Sequence, residues 1–262
     1  MKDEPGQSQM SASKVPPVPP PLPNRPYPDA RERQGELFRD FGKSYSAMEA
    51  GPALSSVLGA LLKRPGQVAY EIIQGDARRV VLTLLAAISL CMMAYGLLMG
   101  SFAGGHQVWV VPLKLWIGCL FSALLCLPSL YIFACLSGGK LSLAQISGLL
   151  LQGIALSALL LVGFAPIAWI FSQSTNTVAF MGFLHLAFGI VSVYFGLRLL
   201  TSAIEFLNEE RMQVLHVWGV IFILVVCQMC TYLRPLVGGF EGFRLQEKQF
   251  FLANWQQTVY GK

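Results

Sequence analysis

The chain has 262 residues, 54% of them apolar and only 13% charged, with 19 Lys and Arg against 14 Asp and Glu. Soluble domains carry charge on about a quarter of their residues, so this composition excludes an ordinary water-soluble fold and fits one polytopic membrane domain with a tail. The net charge of +5 is diluted by acidic residues and forms no basic stripe, which excludes a nucleic-acid partner.

The charge is unevenly placed. Residues 1–79 hold 11 of the 19 basic and 9 of the 14 acidic side chains. No secretory signal is read there, because the first ~75 residues lack an apolar core of the required length, and insertion is expected to start at the first internal span. Residues 1–50 read as a disordered proline-rich tail. Within it the run Val15 to Pro28 is a polyproline II segment, stiff and without internal hydrogen bonds. Pro20, Pro23 and Arg25 fit the P-x-x-P-x-R pattern that Src-homology-three grooves bind, with a plain spacer as the other reading. Leu37, Phe38 and Phe41 then fall on one helical face and form a candidate docking surface.

Residues 51–79 read as an entry segment. Leu54, Val57, Leu58, Leu61 and Leu62 are spaced as one face of an amphipathic helix, with Pro52 pre-set for its start and Lys63-Arg64-Pro65 ending it. A basic-flanked apolar helix before a first span is expected to lie in the membrane interface.

The fold class expected for residues 80–237 is all-α, a five-helix transmembrane bundle. A span needs ~20 apolar residues, and five stretches qualify: 80–102, 109–136, 143–171, 178–207 and 214–237. The connections are short, so consecutive spans are expected to pack side by side and antiparallel. Arg78 and Arg79 precede the first span, Lys140 lies in the second loop and Arg211 in the fourth, whereas the first and third loops hold no Lys or Arg. That alternation puts the N-terminus in the cytoplasm and the C-terminus outside. Residues 238–262 then form an amphipathic tail on the outer side, with Phe250, Phe251, Trp255 and Val259 along one face.

Gly182, Gly189 and Gly196 recur every seven residues, and Gly96 and Gly100 four apart. Such stripes let helix backbones approach in lipid, so all five are read as packing positions. Pro112, Pro128 and Pro166 are expected to kink or start helices. Gln152, His185 and Gln228 are the polar residues read as near the midplane, where they could either join helices or line a path for a transported substrate. Lys114 and Arg198 can snorkel to the boundaries. All six cysteines lie in spans as small apolar residues. Cys227 and Cys230 have a metal-like spacing but no accompanying ligands. No catalytic, metal or cofactor constellation is found, and none is expected.

Five short-looped spans behind a cytoplasmic tail, with the entry Leu61-Leu62-Lys63-Arg64-Pro65-Gly66-Gln67-Val68-Ala69-Tyr70-Glu71-Ile72, resemble the Yip family of Rab-interacting-type membrane proteins. Pro65 and Tyr70 match its entry pattern. The segment Gln228 to Gly238, followed by Phe250-Phe251, is similar to an uncharacterised bacterial branch. The resemblance covers residues 61–237 and implies a non-enzymatic protein of a bacterial inner membrane or a secretory-pathway membrane, binding lipid and partner proteins. A scaffold or adaptor recruiting partners through its tail is therefore the expected function, a small transporter or channel component the alternative, and homo-oligomers fit either.

Overall fold

The computed structural model describes residues 41–48, 51, 53–103, 105–136, 138, 140–175, 177–208 and 213–232. The proline-rich run with Pro20, Pro23 and Arg25, the residues Leu37 and Phe38, and the C-terminal tail lie outside the described residues. Among those described there is helix and no strand.

From Leu54 on, the described residues form seven helices. Two short ones, α1 (Leu54–Lys63) and α2 (Pro65–Ile73), meet at Arg64. Five longer ones follow: α3 (Ala77–Ala103), α4 (Gln107–Leu136), α5 (Leu143–Ser174), α6 (Val178–Asn208) and α7 (Gln213–Tyr232). Local chemistry sets their starts. Asp76 receives the Arg79 amide at 3.3 Å and pairs with its guanidinium at 2.9 Å, so Arg78 and Arg79 lie inside the first turn of α3. Ser142 and Gln145 form a reciprocal capping box at the start of α5. The helical path of α4 runs through Pro112 and Pro128, and that of α5 through Pro166.

Four helices, α3 to α6, are long and apolar enough to cross a membrane. α7 differs: its described apolar run is Val214–Met229, shorter than a crossing, and residues 233–237 of the expected fifth span lie outside the described residues.

The lateral order departs from simple succession. α3 packs along both α4 and α5, α5 along α6, and α4 along α7, so the order across the bundle is α7, α4, α3, α5, α6. The consecutive pairs α4/α5 and α6/α7 touch over short stretches only, which corrects the expectation that every neighbouring pair packs side by side. The reason lies in α3, the most buried long helix. Val80, Leu84, Ala87, Ile88, Cys91, Met92, Tyr95 and Met99 are all buried, and they wrap a wide arc of its surface. α3 therefore buries two flanks and sits between α4 and α5.

The entry segment also differs from expectation. The apolar face of α1 is divided: Val57 and Leu61 are buried, because α1 packs on α3 and α5, while Leu54 and Leu62 are exposed. α2, which the sequence reading left without structure, packs on α3, α5 and α6. Its Ile72 lies against α5, where a Cβ on Gly148 would stand 2.6 Å from Ile72 Cγ2. The starts of α3 and α5 and the end of α6 thus share one end of the bundle, here called the near end.

Candidate functional site

At the near end the segment 41–48 lies across the bundle as a strap. Residues 41–44 are helical, and Phe41 is 3% exposed. Its ring meets Phe206 of α6 edge-on at 5.4 Å. Tyr45 contacts Phe206 and Tyr70 of α2, each at 5.3 Å. Burial, and after it Tyr70, raises the pKa of the Tyr45 phenol, which stays neutral in this cluster.

Polar contacts fasten the same strap. Ser44 Oγ donates to the Phe41 carbonyl at 2.9 Å and accepts the Gly66 amide at 3.1 Å. That amide lies in the first turn of α2, where no intrahelical partner exists, so Ser44 caps the helix from a distant part of the chain. The Met48 amide donates to Glu71 Oε1 at 3.0 Å. Gly66 is required by the close approach: a Cβ there would lie 2.6 Å from the Phe41 carbonyl oxygen and 2.7 Å from the Ser44 carbonyl carbon. Phe41, read from sequence as part of a partner-docking face, is covered by Phe206 of its own chain.

The polar residues read as a midplane cluster are not brought together. Gln152 is buried and its Nε2 donates 2.8 Å to the carbonyl of Pro65 in α2. His185 is buried and shares a 2.8 Å hydrogen bond through Nδ1 with the Tyr95 hydroxyl of α3. Gln228 is half-buried on α7. The spacing along α6 gives the separation. Gly153, next to Gln152, lies against Gly196, and His185 is eleven residues from Gly196, about 16 Å along a helix axis. Gln152 serves the near end and His185 the opposite half.

Both side chains keep one buried polar atom without a protein partner, Gln152 Oε1 and His185 Nε2, as does Ser192 Oγ between their levels. With Nε2 already unbonded, Tyr95→Phe is expected to leave His185 no hydrogen bond at all and to cost about 1–3 kcal/mol of stability. The double change Tyr95→Phe with His185→Leu removes the stranded imidazole and should recover most of that loss. Thermal unfolding in detergent micelles checks this, and additive losses in the double variant would refute the pairing.

Of the glycines read as packing positions, Gly96 and Gly196 are. A Cβ on Gly96 would strike Pro112 of α4, and one on Gly196 would strike the Gly153 carbonyl and Ser157 Oγ of α5. Gly100 is buried. Gly182 and Gly189 meet nothing within 4 Å of an added Cβ, so the seven-residue stripe is not a single contact line. Sequence reading missed the partner glycine on α5, although Gly153-x-x-x-Ser157 carries the same small-residue spacing.

Among the described residues no group of His, Cys, Asp and Glu could hold a metal ion, and Cys91, Cys119, Cys126, Cys135 and Cys227 form no disulfide. No protein-family model, curated protein or solved structure matches this chain.

Proposed function

We propose that the chain is a non-enzymatic membrane scaffold whose N-terminal segment recruits partner proteins on the cytoplasmic side. The observation that carries this reading is the strap. Phe41, Ser44 and Tyr45 fasten the chain to α2 and α6, which gives the N-terminal segment a fixed attachment at Phe41.

In this reading the near end faces the cytoplasm, since Lys63, Arg64, Arg78, Arg79 and Lys140 gather there. α7, continued through residues 233–237, completes a fifth crossing and leaves the C-terminus outside. That topology, with Pro65 and Tyr70 in an entry helix, is what supports kinship with five-span Yip proteins, and a bacterial inner membrane is the proposed home. A transport path has less support, because Gln152 and His185 are committed to Pro65 and Tyr95 at separate levels.

The test compares crosslinked partners of the full chain in intact cells with those of a chain lacking residues 1–40, which keeps the strap. Partners lost with the tail are expected. Retention of the same partners would move the binding surface into the bundle and overturn the tail's role. A single cysteine at Lys262, in a chain otherwise free of cysteine, should react with a membrane-impermeant thiol reagent. Protection of that cysteine would sink the fifth crossing.

A further inference from the structure

The helices overrun the bilayer, and the position of their charges fixes where its boundary falls. α5 has 32 residues, about 48 Å of helix against a hydrocarbon core of ~30 Å. The core must therefore occupy only part of its length.

Three cations mark one level near the near end. Arg64 precedes Pro65, whose carbonyl receives Gln152, so Lys63 and Arg64 stand close to the Gln152 level. Arg198 is two residues beyond Gly196, which lies on Gly153. This level is nine residues, about 14 Å, inside the start of α5. Lys63 and Arg64 are exposed, Arg198 is half-buried one turn after the exposed Tyr194, and none of the three has an ion-pair partner among the described residues. Leu62, beside Lys63, is 58% exposed.

The next charge lies on the far side. Pro112 meets Gly96, which places Lys114 within about two residues of the Tyr95–His185 level. From His185 to Arg198 is thirteen residues, or about 20 Å. Snorkelling of the long side chains at both edges widens that charge-free slab toward the ~30 Å of a hydrocarbon core.

We propose that Lys63, Arg64 and Arg198 hold the phosphates of anionic lipid headgroups, with Leu62 in the acyl edge beneath them. The bilayer boundary then lies at the level of Gln152, and the strap with the outer part of α2 stands in the headgroup layer. This rests on the membrane-spanning reading and not on the adaptor role.

The full chain is placed in nanodiscs of phosphatidylcholine with phosphatidylglycerol, and the lipids that stay bound on release are counted by native mass spectrometry. Phosphatidylglycerol should be enriched on the wild-type chain, with retention falling about fivefold for each charge removed in K63Q/R64Q and in R198Q. K63R/R64K should retain it. Arg79→Gln removes an equal charge that Asp76 already neutralises and should change nothing. If R79Q lowers retention as much, or if the wild type does not distinguish the two lipids, the site does not exist. Thermal unfolding reports whether each variant is folded, and should R198Q fail to fold, the exposed pair at the α1–α2 turn decides alone.

Discussion

Gly196→Ala should lower the stability of the bundle by about 2–3 kcal/mol, whereas Gly189→Ala on the same helix should leave it unchanged or raise it slightly. The two positions are one heptad apart and look alike in sequence. At Gly196 the added methyl would sit on the Gly153 carbonyl and the Ser157 hydroxyl, nearer than real Cβ atoms approach anything. A backbone carbonyl cannot rotate away as a flexible side chain can, so α5 and α6 must separate. That separation loses dispersion contacts along the α5–α6 seam. At Gly189 the methyl meets open space within 4 Å, and alanine's better helix propensity is the remaining term. Unfolding in mixed micelles titrated with denaturing detergent measures both. Equal losses at the two sites would show that the α5–α6 contact is not where the structure places it.

The second large effect is local. Gly66→Ala should release the strap, because its methyl would enter the space taken by the Phe41 carbonyl and by Ser44. Phe41→Ala should act in the same direction by about 3 kcal/mol, through loss of a buried ring and its edge contact with Phe206. Both changes should raise amide hydrogen exchange and chymotrypsin cleavage across residues 41–48. The unfolding temperature of the bundle should move little, since the strap lies on the end of the helices rather than between them. Unaltered exchange in either variant would show that the strap is not held by Phe41 and Gly66.

How much of this was legible depends on how local the cause is. Four long helices follow from runs of apolar residues and from caps such as Ser142 with Gln145, which act within one turn. Lateral order does not. Short loops restrict which helices can meet, yet the wide apolar arc on α3 decides that it takes both α4 and α5 as partners. The glycine stripe failed for a related reason. A seven-residue repeat keeps residues on one side of α6, but only the surface of α5 determines which of them is approached. The separation of Gln152 from His185 was not legible because the partner of each, Pro65 or Tyr95, lies on another helix. The two residues lie about 16 Å apart along the axis. The strap was least legible of all. Gly66, Ser44 and Glu71 look unremarkable one by one, and their roles arise from pairing across about two dozen residues.

The docking of α7 on α4 bears on how the protein is made. Trp218 is buried, stacks on Phe222 at 5.3 Å and donates 3.0 Å to Ser129 Oγ of a helix three places earlier in the chain. As the chain leaves the ribosome, α3 can join α4, then α5, and α5 can join α6, each pairing with something already inserted nearby. α4 alone must wait with its Ser129 side turned to lipid or to the insertion machinery until the last helix arrives. Assembly therefore grows outward from α3 in one direction during synthesis and is completed in the other only after it.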